Sequence, residues 1–187
     1  MKTATKITVT KNNSQPGTEF YSPWSISFTV DGVTLTGDFD YFNDTLRQDY
    51  SDVGEIEVLG LFHLLTMDQR VELVKTCYNI LKKDGICRVV APHWSSSKAY
   101  MDPGIQWPPV AAEFFFLTKA EHRKQLAPHV DFGDVDFFYS ISGNYDTNDA
   151  FVAMRNDETK STFMHRNINC TTDIVVNLHK TCQTVST

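Results

Sequence analysis

Residues 55–103 decide the fold class of this chain. They read EIEVLGLFHLLT at 55–66, a helical segment ending in ILKKDG at 80–85, and then ICRVVAP at 86–92. The apolar runs 56–65 and 86–91 are bounded by turn signals, which is typical of strands buried on both faces. Between them Thr66 and Gln69 have the spacing of a capping box, and a glycine ends the helical pattern. A strand, a helix and a second strand in this order predict an α/β sheet.

Further strands are predicted on both sides of this unit. The two residues Asp31-Gly32 separate two alternating runs, which is a strong signal for a tight hairpin. Short helices are predicted at 110–116 and 118–126, whereas 38–51 is polar and acidic without a clear period. The last strands are expected to be antiparallel. The predicted strands outside 55–92 are 5–10, 24–30, 33–36, 135–141, 151–155 and 173–179.

Length and composition predict one domain, residues 1–187, with an ordinary hydrophobic core. The net charge of −6 argues against a nucleic-acid partner, because binding phosphates needs an excess of Lys and Arg. No apolar run is long enough to span a bilayer, and the polar N-terminus is not a signal peptide. The four cysteines lack metal-ligand spacing, so we expect no metal site and reduced thiols in a cytoplasmic protein.

The segment 81–103 resembles class I S-adenosylmethionine-dependent methyltransferases. In that family the corresponding helix closes on Leu-Lys-Pro-Gly-Gly, and the next strand ends in Val-Pro. Small members continue with Ala-Trp-x-Asp-Pro-Thr-His. This chain has LKKDG at 81–85, VAP at 90–92 and KAYMDP at 98–103. The resemblance implies a Rossmann-like, methyltransferase-type sheet flanked by helices, with antiparallel strands at the C-terminal end, and S-adenosylmethionine as the cofactor.

The same resemblance implies a set of cofactor-binding residues. The first family strand runs into a Gly-rich turn, because only glycine lets the backbone approach the cofactor so closely. Here that turn is 11–17, which has one Gly, one Pro and no Gly-x-Gly. The cofactor-binding residues that the family pattern implies in this chain are Asn12, Ser14, Gly17, Asp31, Asp38 and Gly60.

Two acids and a glycine in this set have specific implied roles. Asp31 resembles the acid that binds both ribose hydroxyls, and Asp38 resembles the acid near the adenine amino group. Gly60 would allow close approach of the methionine portion. The hairpin predicted at Asp31-Gly32 is the favoured alternative for Asp31, because a hairpin tip does not line a cofactor cleft.

His93 and Asp102 are the candidate catalytic residues. The family has a His shortly after Asp-Pro, where this chain has Gly104-Ile105. His93 follows a strand, where ligands bind in open α/β sheets, and its ordinary titration range suits proton transfer near neutrality. The alternative is a loop His with a structural hydrogen bond. The nearby aromatic residues, including 114–116, form either a pocket for a flat substrate or partner protein, or a lid packed on the core.

These observations predict a class I methyltransferase-like protein of unknown substrate and leave its activity open. The joint erosion of the Gly-rich turn, of the family's acidic-His pair and of the His after Asp-Pro favours degenerate catalysis. The alternative is a non-catalytic accessory protein of the same fold, such as a viral one, that acts through protein partners.

Overall fold

A computed structural model describes the fold over most of the chain. The described residues are 1–12, 25–96, 98–101, 104–109, 113–114, 123–124, 128, 133–145 and 171–180. The strand predicted at 151–155 lies outside them, as do most residues of the helices predicted at 110–116 and 118–126.

The described residues form a seven-stranded sheet in the order β3-β2-β1-β4-β5-β7-β6. Strands β1, β4 and β5 are parallel neighbours, whereas β2, β3, β6 and β7 pair antiparallel with their neighbours. This mixed sheet confirms the α/β prediction and its antiparallel end. The strands are β1 (Lys6–Asn12), β2 (Ser25–Val30), β3 (Val33–Gly37), β4 (Val53–Leu59), β5 (Leu81–Pro92), β6 (Phe137–Tyr145) and β7 (Thr171–Lys180).

The two faces of the sheet differ sharply in chemistry. The strand register aligns one residue of each strand in cross-strand rows, and successive rows face opposite sides. One such row is entirely apolar: Leu35, Phe28, Val9, Val58, Val89, Val176 and Ile141. The adjacent row is entirely polar: Thr34, Thr29, Thr8, Glu57, Arg88, Asn177 and Ser140. At the level of these two rows, one face of the sheet is apolar and the other polar. Toward the carboxyl ends the second face becomes apolar as well, since Leu59, Val90 and Val175 lie on it and Val175 is buried.

Ion pairs occupy the polar face. Lys6 Nζ lies 2.8 Å from Glu57 Oε2 and 3.4 Å from Glu55 Oε1, and Arg88 Nη1 lies 3.8 Å from Glu57 Oε1. The hydrogen bond to Glu57 raises the pKa of Lys6. Since Lys6 is exposed, these pairs contribute little to stability and mainly keep this face hydrated.

Helices α1 (Phe39–Asp49) and α2 (Met67–Ile80) both pack against the apolar face. Phe42 of α1 contacts Phe28 with ring centroids 5.4 Å apart, and Tyr78 of α2 contacts Phe137 of β6 at 5.0 Å. Burying these apolar surfaces is the main stabilising term of the fold. Among the described residues, no helix is both long and apolar enough to cross a membrane.

Helix α1 was not predicted from the sequence. It begins after Asp38, whose side chain accepts a hydrogen bond from the Tyr41 amide at 2.8 Å, so Asp38 is its N-cap. Its apolar stripe is narrow, since only Phe39, Phe42 and Leu46 bury apolar side chains. Three apolar residues among eleven are too few to show the helical period clearly.

Helix α2 confirms the predicted capping box, in which Thr66 and Gln69 bond reciprocally. The predicted end was wrong, because α2 ends at Ile80 and β5 begins at Leu81. Gly85 is required for a different reason. A Cβ there would lie 2.9 Å from the Lys82 carbonyl oxygen and 3.1 Å from that of Val53, which only glycine avoids.

The strand predicted at 56–65 is shorter than expected. β4 ends at Leu59, Gly60 has a left-handed φ of 62°, and Phe62–Leu64 form a 3₁₀ turn. The run stays mostly apolar beyond β4 because residues 61–65 are buried as well, and burial alone does not distinguish a strand from a buried turn.

Two of the four cysteines lie in this core, and Cys170 and Cys182 lie outside the described residues. Cys77 of α2 and Cys87 of β5 are buried free thiols. A hydrogen bond with Cys77 and burial raise the pKa of Cys87 well above its ordinary value. Because the thiolate is the reactive form, Cys87 is held in an inert, packed state.

The division of the sheet into two faces predicts opposite outcomes for two neighbouring residues. Phe28→Ala removes a fully buried ring and should lower the free energy of unfolding by about 3–5 kcal/mol. Thr29→Ala, one residue later on the polar face, should cost less than about 1 kcal/mol. Denaturant titration of both variants measures the difference, and equal losses would contradict this division.

Candidate functional site

The carboxyl ends of five strands meet at one edge of the sheet. β1, β4 and β5 are parallel, and β3 and β6 run in the same direction because each is antiparallel to a strand that is itself antiparallel to β1 or β5. Asn12 ends β1, and Asp38, Gly60 and His93 directly follow β3, β4 and β5. The structure therefore brings these four predicted site residues to a common edge, here called the carboxyl edge.

The order in which the chain adds strands to the sheet reverses between β1 and β4. From β1 the chain builds outward to β2 and β3, and it then continues on the other side with β4 and β5. In doubly wound sheets, ligands bind beyond the carboxyl ends of the strands at such a switch point. The edge beyond the carboxyl ends of β1 and β4 is here called the crevice. Thr10 of β1 pairs with Leu59 of β4, so Gly60 lies directly at this crevice.

Gly60 has the properties of a residue that a ligand approaches closely. Its φ of 62° lies in the left-handed region, and its amide donates to the Val90 carbonyl at 2.8 Å, which fixes the turn. A Cβ built on Gly60 would have no heavy atom within 4 Å. The backbone is thus held in a conformation that favours glycine, and it faces open space.

Asp38 lies at the carboxyl edge with an exposed side chain. One of its carboxylate oxygens caps α1, which leaves the second oxygen for a ligand. Adjacent strands are about 4.8 Å apart, so Asp38 lies on the order of 10 Å from the end of β1, two strands away. A ligand in the crevice must extend across β2 to reach it.

Asp31 is placed at the opposite edge. It follows β2, which is antiparallel to β1, and Val30 pairs with Ile7 near the start of β1. Asp31 and Gly32 have φ values of 47° and 86° and form the predicted hairpin turn, which is confirmed. The structure therefore does not bring Asp31 together with Asp38 and Gly60. Ser14, Gly17 and Asp102 lie outside the described residues.

His93 is held by its own turn. Its amide donates to the Thr172 carbonyl at 3.1 Å, and its Nδ1 accepts from the Ser95 amide at 3.2 Å and lies 2.7 Å from Ser95 Oγ. Because Nδ1 accepts a backbone hydrogen bond, the neutral ring carries its proton on Nε2. This tautomer suits donation of a hydrogen bond at Nε2, and it fits positioning better than the general-base role expected from the sequence.

A buried arginine anchors the segment 104–109 beside the carboxyl end of β4. Arg70 of α2 is 2% exposed, and its Nη1 lies 2.7 Å from Glu113 Oε1. Its Nε donates to the Leu65 carbonyl at 3.2 Å, and Nη2 donates to the Trp107 carbonyl. The Gln106 amide also donates to the His63 carbonyl at 3.1 Å. These bonds tie the segment to the 3₁₀ turn after β4.

The sequence analysis missed Arg70, although a signal was present. Arg70 occupies the apolar stripe of α2, in line with Leu73, Val74 and Cys77. A charged residue on such a stripe needs a buried partner, because an isolated buried charge is costly. What the sequence does not reveal is that Glu113, forty-three positions away, supplies it.

The aromatic residues near this edge divide into two groups. Phe114 is buried and stacks on Phe62 with ring centroids 5.3 Å apart, so it belongs to the core. Trp94, Tyr100 and Trp107 are 45%, 70% and 66% exposed. The expectation of a lid packed on the core therefore holds for Phe114 and not for these three side chains. Among the described residues, no group of three or more His, Cys, Asp or Glu could hold a metal ion.

Comparison with solved structures identifies the fold. A SAM-dependent methyltransferase from Archaeoglobus fulgidus matches with a TM-score of 0.51 at 16% identity, over 78% of this chain and 66% of that protein. The YcgJ protein from Bacillus subtilis matches at 12% identity with a TM-score of 0.43, over 78% and 70% of the two chains. No family model and no curated protein sequence matches the chain.

A third match is the plantazolicin methyltransferase BpumL, solved in complex with SAH. It is 12% identical, with a TM-score of 0.42 over 78% of this chain and 57% of that one. The fold assignment rests on the Archaeoglobus protein, of whose length this chain spans slightly less than two thirds. At this level of identity the likeness establishes the fold alone.

The buried pair Arg70–Glu113 predicts a large and asymmetric effect on stability. Glu113→Ala leaves an uncompensated buried charge and should lower the free energy of unfolding by about 3–5 kcal/mol. The double variant Arg70→Met/Glu113→Leu should recover most of that loss. Asp44→Ala is the matched control, since Asp44 and Arg47 also lie 2.7 Å apart but are exposed, and it should cost less than about 1 kcal/mol. Thermal or denaturant unfolding would show the ranking.

Proposed function

We propose that this chain, a divergent member of the class I S-adenosylmethionine-dependent methyltransferase fold, binds S-adenosylmethionine at the carboxyl edge and transfers its methyl group to a small acceptor. The observation that carries the proposal is Gly60. It lies at the β1–β4 switch point in a left-handed conformation with open space beside its Cα atom.

The described residues fit the cofactor in two respects. Gly60 lets the ligand approach the backbone between β1 and β4, and Asp38 offers a carboxylate oxygen two strands away from β1. A carboxylate suits the hydroxyl and amino donors of an adenosine, because hydrogen bonds to an ionised acceptor are strong. Asn12 ends β1 at the same edge. Asp31 is not part of this proposed site.

The bound cofactor would supply an electrophilic methyl group on a sulfonium. The protein's task is then to hold the acceptor atom in line with that methyl group and to exclude water, and such orientation supplies much of the rate. His93 contributes a positioned ring at the end of β5, with its proton on Nε2. Since this tautomer does not take up a proton at Nε2, His93 would not be the base, and the acceptor would lose its proton to water before it enters the site.

The hairpin at Asp31 favours a second function. The hairpin places Asp31, the expected ribose-binding acid, away from the crevice. The chain would then keep the methyltransferase fold without an adequate cofactor site. The chain would then act as a non-catalytic binding protein through protein partners. Cofactor binding decides between the two functions.

Isothermal titration with S-adenosylmethionine and S-adenosylhomocysteine tests the proposal directly. Asp38→Asn keeps the helix cap but removes the charge, and it should weaken binding about tenfold or more, since hydrogen bonds to charged groups contribute about 1.5–3 kcal/mol. Asp31→Asn makes the same chemical change at the opposite edge and should leave affinity unchanged. Absence of heat with millimolar ligand would overturn the cofactor assignment and support the non-catalytic function.

Gly60→Ala and Gly32→Ala form a second matched pair. Both glycines have positive φ and no heavy atom within 4 Å of a built Cβ, so both variants should lose about 1–2 kcal/mol of stability through backbone strain. Only Gly60→Ala should also weaken binding of S-adenosylhomocysteine, because only its methyl group enters the crevice. Equal affinity in the two folded variants would show that Gly60 does not contact the cofactor.

A further inference from the structure

We propose that Trp94 and Tyr100 form a platform that stacks a flat aromatic methyl acceptor of neutral or negative charge. This inference rests on the proposed function, since it identifies the substrate class of the same edge. Both side chains follow β5, the strand next to the β1–β4 switch point on the side away from Asp38. The platform therefore lies at the same edge of the sheet as the proposed cofactor site, after the strand that neighbours β4.

Exposure of these rings is the first observation. Trp94 is 45% exposed and Tyr100 is 70% exposed, although both belong to a tightly bonded turn. Exposed aromatic rings leave apolar surface in water, and stacking with a flat ligand would remove it. Aromatic surface on a rigid backbone is typical of a recognition site, because little freedom is lost when the ligand binds.

The rigidity of the turn is the second observation. The Tyr100 hydroxyl donates to the Trp94 carbonyl at 2.8 Å, which ties the two residues together. The His93 ring lies against the Trp94 ring with centroids 5.5 Å apart. The Ser95 hydroxyl, 2.7 Å from His93 Nδ1, holds the His93 ring in place. The Ser96 amide donates to the His93 carbonyl at 2.8 Å. His93 thus acts as a positioning residue for Trp94.

Charge in the same turn selects among flat ligands. Lys98 lies between Trp94 and Tyr100 in sequence, its side chain is 56% exposed, and its Nζ is 3.7 Å from Asp173 Oδ2. This long, exposed pair leaves the ammonium accessible to a second anion. A cationic ligand on the aromatic rings would be repelled by Lys98, whereas a carboxylate or phenolate on a flat ring would be attracted to it.

Three probes separate these contributions: 2-naphthoate, cyclohexanecarboxylate and 2-naphthylmethylamine. 2-Naphthoate has both the flat ring and the negative charge, cyclohexanecarboxylate has only the negative charge, and 2-naphthylmethylamine has only the flat ring. Titration of the isotope-labelled protein, followed through the Trp indole N–H signals by NMR, should show saturable binding of 2-naphthoate. Its dissociation constant should be at least fivefold lower than that of either other probe.

Variants locate the site of binding. Trp94→Ala and Tyr100→Ala should each weaken 2-naphthoate binding at least fivefold, and Lys98→Gln should reduce the preference for the acid over the amine. Phe138→Ala is the matched control, because Phe138 is also an exposed aromatic residue, at 55%, but it lies near the start of β6, by the opposite edge of the sheet. It should leave affinity unchanged.

The outcomes distinguish this inference from the proposed function. Equal affinity for all three probes, or an equal loss in Phe138→Ala and Trp94→Ala, would overturn the platform. If S-adenosylhomocysteine binds and 2-naphthoate does not, the platform is wrong and the cofactor site stands. If 2-naphthoate binds at Trp94 and S-adenosylhomocysteine does not, the platform is a ligand site without the proposed methyl transfer.

Discussion

The fold depends on one continuous apolar face of the sheet, which every strand supplies with alternate residues. Because side chains of a strand alternate in direction, a register that aligns Phe28, Val9 and Val58 also aligns Thr29, Thr8 and Glu57 on the other face. A shift of one residue would exchange the faces of a strand. The apolar face must then be covered, and α1 and α2 cover it. The positions of both helices follow from this single constraint.

The antiparallel direction of β2 relative to β1 is the feature of the sheet that matters most for the candidate site. In a Rossmann-type unit a crossover connection brings the second strand back parallel to the first, so that both carboxyl ends face the ligand. Here Asn12 pairs with Ser25, and β2 runs antiparallel to β1. The end of β2 and Asp31 therefore face away from the crevice, while β3 returns and places Asp38 beside it. Of the two acids that the family pattern implies, only Asp38 therefore lies at the carboxyl edge.

Rigid local bonding surrounds the same edge. Gly60 is fixed by its bond to Val90, the His93 turn by bonds to Thr172 and Ser95, and the segment carrying Trp107 by Arg70. Each bond restrains a piece of backbone while leaving a surface open to a ligand. Several of the buried polar residues, among them His63, Arg70 and Ser95, lie beside the carboxyl ends of β4 and β5 because of these bonds.

The sequence by itself determined what local patterns encode. Alternation predicted the first strands and apolar runs predicted β4 and β5, Thr66 and Gln69 predicted the start of α2, and Asp31-Gly32 predicted the hairpin. These features depend on neighbouring residues, so a single sequence shows them. Helix α1 was not predicted, because it has too few apolar residues to show the helical period. The turn after β4 was not predicted, because it is buried like the strand before it.

Only the tertiary structure decided which residues share the candidate site. Strand direction placed Asp31 at the opposite edge and Asp38 and Gly60 at the carboxyl edge, and direction depends on pairing between distant strands. The partnership of Arg70 with Glu113 and the tautomer of His93 likewise depend on three-dimensional contacts. The sequence gives the chemistry of each side chain, but the strand order and the strand directions decide which side chains lie at the same edge of the sheet.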